Sequence, residues 1–161
     1  MPTVKPVRRK VRREGFVPEC KYDRLKELIL AFRAVNACRH GVSYEDVAKT
    51  IGRDETWVSR NAKFLMKIGF LIKERPKNYK LTEKGCEYAK RLELGLEEEA
   101  REILRETLLA YDLAKWICNL IRIRETKSIL RDKLVRRIAA QIDVPLKIHR
   151  FKSGINALSI C

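Results

Sequence analysis

Residues 42–81 read V-S-Y-E-D-V-A-K-T-I-G-R-D-E-T-W-V-S-R-N-A-K-F-L-M-K-I-G-F-L-I-K-E-R-P-K-N-Y-K-L, and their punctuation decides the fold. Ser43 is a good N-cap residue, and Glu45 and Asp46 place negative charge in the first turn of the helix it starts. Val47, Ala48 and Ile51 give that short helix an apolar face. Gly52 supplies the turn, because glycine reaches positive φ without a Cβ clash. Asp54 caps a second helix, whose buried stripe is Val58, Ala62 and Leu65 at i, i+4 and i+7. Gly69 ends that helix, and Phe70, Leu71 and Ile72 begin a strand. Arg75-Pro76-Lys77-Asn78 is turn chemistry. Tyr79, Lys80 and Leu81 resume the strand, and Thr82 caps a further helix with Gly85 early in it.

Two short helices joined by a glycine turn form the helix-turn-helix pattern. With the basic-tipped hairpin that follows, the chain resembles the winged-helix family, in the form of an archaeal-type transcriptional regulator. The residues that carry the resemblance are Val58-Ser59-Arg60, Leu65 with Gly69-Phe70-Leu71, and Tyr79-x-Leu81-Thr82-x-x-Gly85. It spans residues 22–94, somewhat under half the chain. It implies a mainly α fold with a small β-hairpin wing: a winged helix-turn-helix followed by a C-terminal helical region. The expected division is a basic flexible arm over 1–20, the winged-helix domain over 21–95 and the helical region over 96–161. The resemblance is specific for fold and weaker for function, since winged helices also serve as protein-interaction modules.

Charge points to the class of partner. The chain has 161 residues, 45% hydrophobic and 35% charged, with a formal net charge of +15. That apolar content is enough for a real core, and that excess of cations suits a polyanion. No run approaches the ~20 apolar residues of a membrane span, and the basic N-terminus lacks the apolar stretch of a signal peptide. A cytoplasmic, nucleoid-associated protein is expected. The five cysteines, Cys20, Cys38, Cys86, Cys118 and Cys161, form no C-x-x-C pair and read as reduced, buried thiols. A single glutamine, Gln141, amid abundant Lys, Arg, Glu and Ile leans towards a thermophile, where intracellular disulfides become admissible.

The first helix is expected from Tyr22 to Cys38, with Leu25, Leu28, Ile29, Phe32 and Val35 or Asn36 inward and Gly41 closing it. A fourth, from Thr82 to Leu94, turns Cys86, Ala89 and Leu92 inward, with Tyr88 a further candidate, and ends at Gly95. Leu96 to Arg124 reads as one long helix with Ala100, Leu104, Thr107, Tyr111, Ala114, Cys118 and Ile121 on a heptad seam. That seam suits a homodimer through the C-terminal helices, or an internal hairpin. Residues 126–143 supply another amphipathic helix, stopped by Pro145.

If Val58, Ala62 and Leu65 face inward, Thr56, Ser59, Arg60 and Lys63 face outward, where they can donate to base edges and phosphates. Arg60 is the base reader, since guanidinium matches guanine bidentately; Lys63 and Lys67 suit phosphates. The hairpin adds Lys73, Arg75, Lys77 and Lys80, and the arm adds Arg8, Arg9, Lys10, Arg12 and Arg13, placed to lie along phosphates or in a minor groove. Ser43 and Trp57 complete the set. Trp57, Asn61 and Phe64 form a second stripe beside the buried one, for packing on the C-terminal helices, for a dimer interface or, through Trp57, for DNA.

The expected partner is therefore double-stranded DNA, read with helix 54–67 in the major groove, and the alternative is a winged-helix adaptor in a replication, transcription or chromatin complex. Chemistry for catalysis is missing. The two histidines, His40 and His149, have no zinc-finger spacing to the cysteines, and neither a Gly-rich phosphate loop nor a paired acid motif is present. Neither metal nor cofactor is expected, and no enzymatic activity.

Overall fold

Side-chain caps start three of the helices. Ser43 Oγ accepts from the Asp46 N–H at 3.1 Å, Asp54 Oδ1 from the Trp57 N–H at 2.8 Å and Thr82 Oγ1 from the Gly85 N–H at 3.2 Å. Each bond satisfies a donor that the helix itself leaves open. The structure, a computed structural model, describes residues 20–112 together with residues 115, 116, 119, 122, 133 and 136. Its elements in chain order are α1 (Tyr22–Ala34), α2 (Tyr44–Ile51), α3 (Glu55–Lys67), β1 (Leu71–Arg75), β2 (Asn78–Leu81), α4 (Glu83–Glu93) and α5 (Glu97–Ala110). The fold is thus mostly helical with a small antiparallel hairpin. Gly52 and Gly69 close α2 and α3 at φ of 62° and 83°, as their place after each helix requires.

The first helix is shorter than expected. It stops at Ala34 because Asn36 takes the left-handed conformation at φ 63°, with its N–H on the Arg33 carbonyl at 2.9 Å and the Ala37 N–H on Phe32 at 2.9 Å. Asparagine tolerates this conformation better than most residues, so it takes the place assigned to Gly41. The long helix expected from residue 96 to residue 124 is also interrupted. α5 ends at Ala110, and Tyr111 is extended, at φ −95° and ψ 110°. Helical conformation resumes at Asp112.

β1 and β2 pair from Leu71↔Leu81 to Arg75↔Asn78, with an irregularity between Lys73 and Arg75. On the other side of β2, Val42 and Tyr79 exchange two backbone bonds of 2.8 Å each. The α1–α2 connection is held there too, by the Leu81 N–H on the Ala37 carbonyl at 2.9 Å. Gly85 allows the start of α4 to sit on the chain between α3 and β1, since a Cβ there would collide with the Phe70 carbonyl oxygen.

One apolar cluster joins Leu25, Leu28, Ile29 and Phe32 of α1 to Val47 and Ala48, to Val58, Ala62 and Leu65, to Leu71 and Leu81, to Tyr88 and Ala89, and to Ala100, Leu104 and Leu108 of α5. Each fully buried Leu or Phe contributes about 1.5–3 kcal/mol. Tyr44 is an unanticipated member: it stacks on Tyr79 at 3.9 Å between centroids and meets Phe32 edge-on at 6.3 Å. Burial, and then the neighbouring Tyr79 phenol, push its phenol well above the usual range. Tyr88, buried and hydrogen-bonded to the Tyr22 hydroxyl at 2.9 Å, is pushed up in the same way.

Two further expectations change. Cys38 and Cys86 are not reduced thiols; they form a disulfide that ties the α1–α2 connection to α4, while Cys20 is buried apart from that bond. The heptad seam is half used within one chain, where Ala100, Leu104 and Thr107 are buried and α5 packs on α4. Ala114, Cys118 and Ile121 lie outside the described residues, as do the expected helix over 126–143, apart from residues 133 and 136, and the N-terminal arm up to residue 19, whereas Cys20, expected at the end of that arm, is buried in the core. No helix among the described residues is long and apolar enough to cross a membrane.

Candidate nucleic-acid interface

α3 is anchored from below. Val58, Ala62 and Leu65 are all fully buried, so the helix cannot roll without exposing them. The opposite face then carries Thr56, Arg60, Lys63 and Lys67, all exposed, with Ser59 half-buried at its edge. Only three residues, 68–70, separate α3 from β1. The Phe70 N–H bonds back to the Leu65 carbonyl at 2.9 Å, which fixes the direction in which the hairpin leaves.

The hairpin presents Lys73, Arg75 and Lys77 to solvent. Lys77 sits at the tip with φ 64°, the conformation that closes the two-residue connection. Lys80 differs from its neighbours: it is half-buried, and its Nζ lies 3.9 Å from Glu74 Oε1. Its charge is partly answered within the hairpin, leaving less of it for a polyanion.

Two of the candidate residues have other work. The Ser43 hydroxyl accepts from the Asp46 N–H and also donates to Asp46 Oδ2 at 2.7 Å, so its one O–H donor is committed to the cap of α2. Trp57 is half-buried, with the Arg53 guanidinium 5.3 Å from its ring centroid. The stripe it begins runs into the fold: Phe64 is 1% exposed and Asn61 0%, with the Asn61 amide donating to the Trp57 carbonyl at 3.0 Å. A single chain already buries most of that stripe. Arg8, Arg9, Lys10, Arg12 and Arg13 lie outside the described residues.

Arg53 was missing from the sequence-derived set and belongs near it. It is exposed, it immediately precedes the Asp54 cap, and it lies over Trp57 at the N-terminal end of α3. A basic residue four positions before a tryptophan at a helix start was the available signal. Glu74 is likewise absent from the sequence-derived set, and its carboxylate accepts the Gly41 N–H at 2.8 Å.

Among the described residues no group of three or more His, Cys, Asp and Glu side chains could hold a metal ion. Comparison of the chain with family models, curated proteins and solved structures gives no match.

Proposed function

We propose that the chain is a winged-helix DNA-binding protein, acting as a transcriptional regulator, with α3 in the major groove and the β1–β2 hairpin as a wing on the backbone. The observation that carries this reading is the shared placement of charge. Arg60, Lys63 and Lys67 are exposed on α3, and Lys73, Arg75 and Lys77 project from a hairpin that follows it after a three-residue connection. An α-helix fits the ~12 Å width of the major groove, and a basic loop beside it reaches the flanking phosphates. The order of elements supports the reading as well: helix, bridge residue Val42, two helices, hairpin, helix.

Roles divide by geometry. Arg60 lies mid-helix and suits a base edge, where a bidentate pair to guanine discriminates by about 1–3 kcal/mol. Lys63, Lys67, Lys73, Arg75 and Lys77 suit phosphates, which set position without reading sequence. The adaptor alternative needs the Trp57–Phe64 stripe as its working face, and the burial of Asn61 and Phe64 leaves mainly Trp57 for a partner. Selection of bound sites from a random duplex pool tests the proposal. Enrichment of a defined sequence supports it, and retention of no duplex at low salt removes it.

A further inference from the structure

We infer that Glu74 is a clasp that sets the angle of the basic hairpin, and so a positioning residue for the nucleic-acid contact; the second half of this rests on the DNA-binding reading above. The ladder runs Lys73↔Tyr79 and then Arg75↔Asn78, which leaves Glu74 bulged and without a partner on β2. A bulge re-aims the side chain it carries. Here the carboxylate is aimed back at the body of the protein, where Oε2 accepts the Gly41 N–H at 2.8 Å and Oε1 faces Lys80 Nζ at 3.9 Å. A hydrogen bond to a charged acceptor is stronger than a neutral one.

Gly41 is shaped for this contact. Its φ is not positive, so conformation does not demand glycine; space does. A Cβ at that position would lie 2.5 Å from Glu74 Oε2 and 3.1 Å from Asn78 Cβ. Gly41 immediately precedes Val42, which pairs with Tyr79 of β2. The carboxylate thus joins the two segments that flank β2, the bulge of β1 on one side and the α1–α2 connection on the other. Arg75 and Lys77 are carried beyond this point, exposed at the tip.

Charge and position make opposite demands on this residue. Glu74 is the sole acid in residues 71–81. If it acted only through charge, removing it would tighten binding to a polyanion. If it holds the hairpin, removing it weakens binding even though the net charge rises by one. Glutamine separates the two effects, because it loses the charge and keeps an acceptor for the Gly41 N–H.

The test compares full-length Glu74→Ala and Glu74→Gln with the unaltered protein in two measurements: hydrogen exchange at the Gly41 amide by NMR, and duplex DNA binding at one fixed salt concentration. Glu74→Ala is expected to speed Gly41 exchange about fivefold or more and to weaken duplex binding about three- to tenfold, the scale of one lost hydrogen bond. Glu74→Gln is expected to hold exchange within about threefold and to bind as well or more tightly. Unchanged Gly41 exchange in Glu74→Ala overturns the clasp whether or not DNA binds. Accelerated exchange with undiminished binding overturns the positioning role. If the unaltered protein retains no duplex at any salt, the DNA-binding reading fails separately, and the exchange comparison still decides the clasp.

Discussion

The Thr82 hydroxyl donates to the Gly69 carbonyl at 2.7 Å and accepts from the Gly85 N–H, so one side chain joins the end of α3 to the start of α4. The Thr82 N–H adds a bond to the Phe70 carbonyl at 3.0 Å. Together these bonds fix the direction of α3 relative to the hairpin, which is the geometry the proposed interface needs. Thr82→Val keeps the shape of the side chain and removes both hydroxyl bonds. It is expected to cost about 1–2 kcal/mol, measured by urea denaturation. A change below about 0.5 kcal/mol, the bottom of the range for a lost cap, would show that the link carries no weight.

Gly85 tests the same junction by volume. Its missing Cβ leaves room for the Phe70 carbonyl, a backbone atom that cannot swing aside. Gly85→Ala is expected to destabilise the protein by about 1–3 kcal/mol, although alanine is the better helix former. A rise in thermal midpoint would mean that helix propensity outweighs the clash.

The Cys38–Cys86 disulfide closes a sequence separation of 48 residues. Its loss by Cys86→Ala is expected to cost about 2–4 kcal/mol. Reductant is expected to lower the denaturation midpoint of the unaltered protein and to leave that of Cys86→Ala in place. Equal midpoints with and without reductant would contradict the bond.

Two buried phenols make the fold sensitive to alkali. Tyr44 and Tyr88 have raised pKa values in the folded protein, first from burial and then from the neighbouring phenols of Tyr79 and Tyr22 respectively. Below the ordinary phenol value of 10.0, both states are protonated and no stability depends on pH through these groups. Above it the unfolded chain loses protons that the folded chain keeps, so stability falls as pH rises. Thermal midpoints are expected to drop steeply above about pH 10, and the drop is expected to be shallower in Tyr88→Phe. The same slope in both proteins would show that Tyr88 ionises freely.

Lys77 separates charge from conformation. It holds φ 64° at the hairpin tip, a conformation that costs a residue with a side chain about 1–2 kcal/mol. Lys77→Gly is therefore expected to lose no stability and yet to weaken binding to all duplexes alike. Lower stability, or a loss confined to one sequence, would contradict the phosphate role.

Much of this fold was legible because its signals are local. Ser43, Asp54 and Thr82 cap helices within three residues of themselves, and Gly52 and Gly69 mark turns that other residues form only at a cost. The α3 stripe follows from period alone. What escaped depends on distance or on close competition. Asn36 and Gly41 are both candidates to end α1, and only the packing of Ala37 beneath β2 favours the earlier residue. The break at Tyr111 has no proline or glycine to announce it. Cys38 and Cys86, like Gly41 and Glu74, are partners brought together by the whole fold, so no short window contains them.

Binding of a random duplex, followed by fluorescence anisotropy between ~50 and ~200 mM salt, tests the central proposal most directly. Six exposed cations on α3 and the hairpin predict a loss of affinity of about a hundredfold or more over that range, since each neutralised phosphate releases counterions. Arg60→Ala is expected to narrow the gap between a selected site and random duplex. Absence of binding at ~50 mM salt, or affinity that salt does not change, would contradict the account.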